Sequence, residues 1–133
     1  MEQKEIISKL KARLHGKVKF ALIYGSILTE YFTQESDIDL GIYLGKRPDL
    51  NESFRIKEDL EKHFDHQYEF DVMILDSADP IIAMQILANG QLIIEDDRLA
   101  FIKYKARMIS EYLDFKMDRK IIEDRIGEGS VYD

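Results

Sequence analysis

The 133-residue sequence contains no cysteine and no tryptophan, and it has only two prolines. The absence of cysteine excludes a disulfide framework, a thiolate metal site and a cysteine nucleophile. With seven glycines and two prolines, the chain is neither collagen-like nor a proline-rich disordered segment. Its composition is 45% hydrophobic and 34% charged, which is typical of a single globular domain with its own core.

Positive charge is also scarce, because 19 Lys and Arg stand against 26 Asp and Glu for a formal net charge of −7. Proteins that bind nucleic acid in general rely on basic side chains to neutralise phosphates. The acidic balance therefore argues against direct nucleic-acid binding. It leaves open a nucleotide that arrives with its own metal ion.

Long apolar runs are missing as well. No window approaches the roughly 18 to 20 apolar residues that cross a bilayer. The first residues, Met1–Glu5, are charged and do not resemble a signal peptide. We therefore expect a soluble, untargeted protein that works in the cytoplasm without contacting a membrane.

Apolar periodicity and turn residues divide the chain into helices and strands. The predicted helices are 2–15, 51–66, 79–89 and 97–126. The predicted strands are 18–24, 37–44, 69–75 and 91–95. This pattern predicts an α/β (α+β) fold in a single domain over 1–126, followed by a flexible tail over 127–133.

Two of the predicted strands differ in their pattern. The strand 18–24 is almost entirely apolar after Lys19, which predicts burial on both faces up to Gly25. The strand 37–44 alternates between Asp37, Asp39 and Tyr43 on one side and aliphatic residues on the other. That alternation predicts a half-buried strand.

The most informative pattern is Gly25-Ser26, ten intervening residues, and then Asp37-Ile38-Asp39. Gly25 permits a tight turn close to a ligand, and the N–H groups that start the next helix can hold phosphate oxygens together with the Ser26 hydroxyl. Asp37 and Asp39 are two apart in a strand, so both carboxylates leave the same face and can meet a pair of divalent ions. Asp71, on a neighbouring strand, can reach the ion that activates an attacking hydroxyl.

These residues resemble the minimal nucleotidyltransferases of the DNA polymerase β superfamily, and in particular the MNT antitoxins that pair with HEPN-domain toxins. The resemblance rests on Gly25-Ser26, the run Ser36–Leu40 and Asp71, and it extends over about 18–126. It includes the segments 79–82 and 89–96 and the long last helix. The fold it implies is the nucleotidyltransferase fold, a short mixed β-sheet packed by helices with a long C-terminal helix.

The resemblance also implies a reaction. The expected substrate is ATP with two Mg²⁺ ions, and AMP is transferred to a tyrosine hydroxyl of the cognate HEPN ribonuclease, which silences the toxin. Gly25 and Ser26 would hold the triphosphate, and Asp37 and Asp39 would bind both metal ions. Asp71 would complete the metal site on the nucleophile side, so the catalytic and metal-binding set is Asp37, Asp39 and Asp71.

The chain departs from the family pattern directly after Gly25-Ser26. Family members often continue with a basic residue and a further Gly, whereas the residues 27–31 are Ile-Leu-Thr-Glu-Tyr. The grip on the triphosphate must then come from the backbone, Ser26, the metal ions or a distant cation such as Lys46 or Arg47. Weak activity is one expectation that follows.

The predicted helix 97–126 carries two apolar stripes. The first stripe is Leu99, Ile102, Ala106, Ile109 and Leu113. The second, richer in aromatic residues and methionine, is Phe101, Tyr104, Met108, Tyr112, Phe115, Ile122 and Ile126. One stripe is enough for a core, so we expect the second to contact a partner in a homo- or hetero-oligomer.

Two other functions remain open from the sequence. One is a non-catalytic inhibitor that binds its toxin through the long helix. The other is a nucleotidyltransferase for a small-molecule hydroxyl, such as that of an aminoglycoside, for which a dimer would have to build the acceptor pocket.

Overall fold

The computed structural model describes the backbone of residues 1–131 and the side chains of residues 1–125. The helices are α1 (Gln3–Leu14), α2 (Glu52–His63), α3 (Pro80–Asn89) and α4 (Arg98–Val131). The strands are β1 (Phe20–Tyr24), β2 (Ile38–Tyr43), β3 (Phe70–Ile74) and β4 (Gln91–Glu95), and 3-10 turns follow β1 and β3. The predicted fold class is confirmed, and each predicted helix and strand is present.

The four strands form one mixed sheet in the order β3-β2-β1-β4. β1 pairs antiparallel with β2 and with β4, where the register shifts between Ala21 and Leu22, and β2 pairs parallel with β3. The C-terminal end of β1 therefore lies beside the N-terminal ends of β2 and β3. Residues that follow β1 and residues that begin β2 and β3 meet at this one edge of the sheet.

Helices cover both faces of the sheet. On one face, Ile6 and Leu10 of α1 and Leu60 of α2 pack against the aliphatic side of β2. On the other face, residues of α3 and α4, among them Tyr104 and Met108, pack against β1. β1 is buried on both faces, as its apolar sequence predicts.

The predicted alternation of β2 is confirmed at Asp39 and Tyr43, which are half-buried, but Gly41 between them on the same side is buried. A Cβ at Gly41 would lie 3.1 Å from Ile86 Cγ2 and 3.3 Å from Leu75 Cδ2. The missing side chain lets these two residues close over the strand. On that side, Asp37 is exposed, and Asp39 and Tyr43 are half-buried.

Two helix ends differ from their predicted positions. α2 ends at His63, three residues early, because Asp65 and His66 adopt the left-handed φ values of 52° and 58°. α4 continues to Val131, five residues beyond the predicted helix end at Ile126. Tyr132 and Asp133 lie outside the described residues, and the flexible tail over 127–133 stays a prediction.

The roles expected of the two stripes on α4 are reversed over its first half. Tyr104 and Met108 of the second stripe are buried in the core, and the Tyr104 hydroxyl donates a 2.8 Å hydrogen bond to the Leu75 carbonyl. The first stripe is exposed instead. The side chain of Ile126 lies outside the described residues.

Among the helices that the structure describes, none is long and apolar enough to cross a membrane.

The N-terminus of α3 offers a test of the local fold. Asp79 Oδ1 accepts hydrogen bonds from the N–H groups of Ile81 (2.9 Å) and Ile82 (3.0 Å), with Pro80 at the first helical position. We expect Asp79→Ala to lower the free energy of unfolding in urea by about 1 kcal/mol, because two N–H groups lose their acceptor. Asp79→Asn, which caps equally well, should change it little, and an equal loss in both variants would contradict the capping role.

Candidate active site

The strand register brings together the aspartates that the sequence singles out. Asp39 lies opposite Tyr24 of β1 on one side and opposite Asp71 of β3 on the other. Neighbouring strands are about 4.8 Å apart, so these side chains are immediate neighbours. Asp37 directly precedes β2, two residues from Asp39, and therefore lies on the same side of the sheet.

Gly25 closes over Asp39. It has a φ of 82°, in the left-handed region that favours glycine. A Cβ at this position would lie only 2.2 Å from Asp39 Oδ2, so no larger residue fits without moving the carboxylate. The contact with Asp39 is thus a further reason for glycine at this position, and the close approach of Gly25 to a ligand stays a prediction.

The three carboxylates repel one another. Burial raises the pKa of Asp39, and the negative charges of Asp71 and then of Asp37 raise it further. Asp37 and Asp71 are exposed, whereas Asp39 is half-buried. The edge of the sheet therefore holds a concentration of negative charge that a cation would relieve.

These carboxylates have no cation of their own within residues 1–125. The ten ion pairs in that part of the chain include none of Asp37, Asp39 and Asp71. No side-chain hydrogen bond in the same region reaches them either. Their oxygens are therefore available to a ligand.

The donor type fits magnesium, since hard divalent cations prefer carboxylate oxygens. Among the described residues, however, no three His, Asp or Glu side chains converge as a ready-made metal cluster. Magnesium typically takes one or two carboxylates and completes its shell with water and substrate phosphates rather than with a protein cage. Asp37 and Asp39, with Asp71 beside them, are compatible with that kind of site.

Ser26 lies in the turn Gly25–Leu28, which is a single four-residue 3-10 turn and not the start of a longer helix. Its carbonyl accepts hydrogen bonds from the Thr29 N–H (2.9 Å) and the Thr29 hydroxyl (2.7 Å). The Ser26 side chain is half-exposed. Because a single turn has little dipole, any phosphate here would depend on individual N–H groups and the Ser26 hydroxyl.

The proposal of Lys46 or Arg47 as a distant phosphate ligand is wrong. Both follow the C-terminal end of β2, a strand of six residues or about 20 Å away from the carboxylates. Lys46 pairs there with Glu52 at 3.3 Å.

Lys57 of α2 is a basic residue whose pKa is raised in part by the charge of Asp37, but its ammonium is paired with Glu61. Glu61 also accepts a 3.0 Å hydrogen bond from the Phe70 N–H at the start of β3.

Tyr24 belongs to the site although no sequence motif marks it. Burial raises its pKa to about 12, and the charges of Asp39 and Asp71 contribute to the increase. It is therefore a neutral phenol beside two carboxylates. The sequence feature that could have indicated Tyr24 is its position at the end of a buried strand, directly before Gly25-Ser26. An aromatic residue at such a position is equally typical of the core.

The sequence profile described as Polymerase beta, Nucleotidyltransferase matches residues 4–99, which include every residue of this site. The chain belongs to this nucleotidyltransferase family. The family resemblance inferred from Gly25-Ser26, Asp37 and Asp39 is thereby confirmed. No curated protein sequence matches the chain.

Solved structures share the whole fold of this nucleotidyltransferase. A chain of a toxin-antitoxin crystal structure with AMP-PNP is 20% identical with a TM-score of 0.72, and the match covers 95% of this chain and 98% of that one. A chain of the toxin-antitoxin MntA-HepT is 19% identical with a TM-score of 0.66 and coverage of 94% and 96%. A chain from a tri-AMPylated Shewanella oneidensis HEPN toxin in complex with MNT antitoxin is 20% identical, with a TM-score of 0.66 and coverage of 94% and 95%.

Two glycines with similar backbone strain provide a matched test of the site. Gly16 has a φ of 78° and no atom within 4 Å of the position that a Cβ would take, whereas the Cβ position of Gly25 overlaps Asp39. We expect Gly16→Ala to lower the free energy of unfolding by about 1 to 2 kcal/mol. Gly25→Ala should cost about 1 to 3 kcal/mol more, because Asp39 must move. Urea denaturation measures both, and equal losses would show that the carboxylate adjusts freely.

The raised pKa of Asp39 predicts a pH dependence of stability. Its ionised form is disfavoured in the folded state, so stability falls as the pH rises through the ordinary aspartate pKa and the folded-state pKa. In buffer without divalent cations, Asp39→Asn should therefore raise the free energy of unfolding near pH 7 and give no gain near pH 3.

Asp49 is the control with the opposite sign. Hydrogen bonds from Arg55 and from the Asn51 N–H lower its pKa, so its stabilisation is present at neutral pH and is lost as the pH falls. Asp49→Asn should reduce stability near neutral pH and have no effect at low pH. Urea titrations across the range check both variants, and the same sign in both would refute the electrostatic account of Asp39.

Proposed function

We propose that this chain is a Mg²⁺-dependent nucleotidyltransferase that transfers AMP from ATP to a tyrosine hydroxyl of a HEPN ribonuclease toxin, and so acts as its antitoxin. The observation that carries the proposal is the grouping of Asp37, Asp39 and Asp71 beside Gly25, in a chain of the nucleotidyltransferase family. Chains with this fold occur in toxin-antitoxin complexes, one described with AMP-PNP and one with a tri-AMPylated HEPN toxin.

The residues divide into two groups by what they would hold. The N–H groups of the turn that begins at Gly25, with the Ser26 hydroxyl, would bind phosphate oxygens, since Gly25 is exposed at the edge of the sheet. Asp37 and Asp39 would hold the metal ions, and Asp71 would complete the side facing the acceptor. When bound, Mg²⁺ neutralises phosphate charge and favours ionisation of the attacking hydroxyl.

The transfer is an in-line displacement. The phenolic oxygen of the acceptor forms a bond to the α-phosphorus of ATP, and the bond from that phosphorus to the oxygen bridging to the β-phosphate breaks. Pyrophosphate leaves with this oxygen and its electron pair, and the phenolic proton passes to Asp71 or to water. The protein contributes mainly by positioning the reactants and by placing charge, as in other phosphoryl-transfer sites.

The openness of the site favours a protein as the acceptor. Gly25, Asp37 and Asp71 are exposed at the edge of the sheet, and Asp71 lies on the outermost strand, β3. A small-molecule acceptor would need a concave pocket that buries most of its surface. A protein carries its own surface to the site and needs no such pocket.

A second function is favoured by one observation, the scarcity of cations near the carboxylates. The charge of Asp37 contributes to the raised pKa of Lys57, but the Lys57 ammonium is already paired with Glu61. A site with so little positive charge would bind a triphosphate weakly in the absence of metal ions. The chain would then act as a non-catalytic inhibitor that binds its toxin.

One experiment separates these functions. We would co-express a HEPN-domain partner with the wild-type chain or with Asp37→Asn/Asp39→Asn and measure the intact mass of the partner. We expect one or more increments of about 329 Da, the mass that each transferred AMP adds, with the wild type only. The variant should leave the partner unmodified, because it lacks the ligands for the metal ions.

Asp114→Asn/Asp118→Asn is the matched control, since it removes two exposed aspartates from α4 and leaves the site intact. It should modify the partner as the wild type does. A partner that binds the wild type tightly, carries no added mass and is neutralised equally by the Asp37→Asn/Asp39→Asn variant would overturn the enzymatic proposal and establish the inhibitor.

A further inference from the structure

α4 carries an apolar surface on the side that faces away from the core. Its residues are spaced alternately by three and four positions, and we call this set the aliphatic stripe: Leu99, Ile102, Ala106, Ile109 and Leu113. The four larger side chains are 60%, 51%, 42% and 58% exposed in that order. Such spacing is that of a helix-packing seam, in which the first and fourth positions of a heptad face a partner helix. A contiguous exposed apolar surface of this kind marks an interaction site.

The charged residues at the positions that flank the aliphatic stripe, Arg98, Lys103 and Lys105, are all basic. The segment 98–110 contains four basic residues and no acidic residue, although 1–97 contains 11 Lys and Arg against 19 Asp and Glu. Arg98 and Arg107 are only loosely paired, at 3.7 Å and 3.9 Å, with acidic neighbours on the same chain. Lys103 and Lys105 form no ion pair within residues 1–125, and the charge of Lys103 acts on Asp97 only weakly, as the last of the causes that lower the pKa of that carboxyl. The stripe is therefore an apolar surface with basic flanks on an acidic protein.

We propose that an acidic amphipathic helix of the acceptor protein docks on the aliphatic stripe. Its apolar residues would fill the seam, and its acidic residues would pair with Lys103 and Lys105. Charged residues that flank such seams set the choice of partner and its orientation. The identity of the occupant as the acceptor rests on the proposed function, whereas its chemistry rests on the stripe alone.

A second copy of this chain fits the stripe less well. Leu99 and Ile102 occupy the two core positions of the heptad. In a parallel coiled coil of two copies, Arg98 of one copy would then face Lys103 of the other, and the two positive charges would repel. An antiparallel copy pairs like flanking positions with one another. Those positions in 98–112 are Lys103 and Ser110 on one flank and Arg98, Lys105 and Tyr112 on the other. None is acidic, so self-association leaves the basic charges unmatched.

The length of the aliphatic stripe also favours the acceptor protein over a second copy of this chain. From Leu99 to Leu113 it spans two heptads, or about 21 Å of helix. A coiled coil that stands alone needs about three to four heptads of continuous seam. The occupant must therefore gain further affinity elsewhere on this chain, and an acceptor that also engages the carboxylate site does so.

Docking and chemistry take place at opposite ends of the sheet. α4 begins next to Lys19, whose carbonyl accepts a 3.0 Å hydrogen bond from the Asp97 N–H, whereas the carboxylates lie beside Tyr24 at the other end of β1. The length of β1 separates them. Variants of the stripe should therefore change the affinity for the acceptor without changing the chemical step.

The first test uses a defined probe. A fluorescent helical peptide of about three heptads, with Leu at the core positions and Glu at the flanking positions, is titrated with the protein, and anisotropy is measured. The same peptide with Lys at the flanking positions is the comparison. We expect the Glu peptide to bind at least about tenfold more tightly than the Lys peptide, because it alone pairs with Lys103 and Lys105.

The variants separate the stripe from the rest of α4. Ile102→Gln/Leu113→Gln removes apolar contacts, and Lys103→Glu/Lys105→Glu reverses the flanking charge. Each should weaken binding of the Glu peptide by about tenfold, and circular dichroism should show unchanged helix content, since all four side chains are exposed. Phe115→Gln/Ile122→Gln, exposed on a different face of the same helix, is the matched control and should bind normally.

Three results would overturn the proposal. The first is equal binding of the Glu peptide by every variant. The second is a wild-type dimer in sedimentation that Ile102→Gln/Leu113→Gln converts to a monomer, which would assign the stripe to a second copy. The third is tighter binding of an RNA oligonucleotide than of the Glu peptide, lost only with Lys103→Glu/Lys105→Glu, which would assign it to nucleic acid.

The same variants distinguish this proposal from the proposed function. With a HEPN-domain partner, the stripe variants should raise the KM for AMP transfer and leave kcat unchanged, whereas Asp37→Asn/Asp39→Asn should abolish transfer and keep the partner bound. If the wild type transfers no AMP but the partner binds through the stripe, the enzymatic function fails and the docking surface stands. If transfer occurs with unchanged KM in the stripe variants, the reverse holds.

Discussion

Strand β1 is hydrogen-bonded along both of its edges and covered on both of its faces, and the position of every candidate site residue follows from it. Its pairing with β2 places Asp39 beside Tyr24, and the turn that leaves β1 at Gly25 has to pass over the same carboxylate. A shift of one residue in this register would turn Asp37 and Asp39 towards α1 and α2. The burial of β1 is therefore what fixes the geometry of the site.

The repulsion among the carboxylates opposes folding, and contacts elsewhere on the same face of the sheet offset it. Leu75 and Ile86 close over Gly41, two residues from Asp39 along β2. At the far end of β2, Asp76 accepts hydrogen bonds from the N–H groups of Leu44 and Gly45, both at 2.8 Å. These contacts hold β2 in place without contributing a charge to the site. A fold can keep an unfavourable cluster of like charges only when such contacts determine its position independently.

Much of the fold could be predicted from the sequence because it depends on local signals. The Asp79-Pro80 start of α3 and the apolar run of β1 each specify one element from adjacent residues. The coverage of β2 could not be predicted in the same way, since it arises from Leu75 and Ile86, which are distant in sequence from Gly41. Nor could periodicity alone decide which stripe of α4 faces the core. Both stripes are apolar, and only packing against Phe20 and Leu22 distinguishes them.

The candidate site was predictable to a similar extent. The spacing of Gly25, Asp37 and Asp39 indicates that they meet, because a turn and a strand of period two are local features. That Lys46 lies too far away to bind the triphosphate could not be predicted from the sequence, because it depends on the direction of β2, which runs away from the carboxylates. Tyr24 was missed because an aromatic residue in a buried strand is usually part of the core, and only its cross-strand neighbour Asp39 gives it another role.

The bond from the Phe70 N–H to Glu61 also bears on how the molecule behaves in a crowded solution. β3 is an outer strand, and its free N–H groups would otherwise invite a strand from another molecule. The Glu61 carboxylate occupies the first of these groups and adds negative charge along the edge. At the opposite outer strand, the register shift between Ala21 and Leu22 interrupts the regular ladder between β1 and β4. Each outer strand is also only five residues long, and short strands with a charged or irregular edge pair less readily with a strand of another molecule.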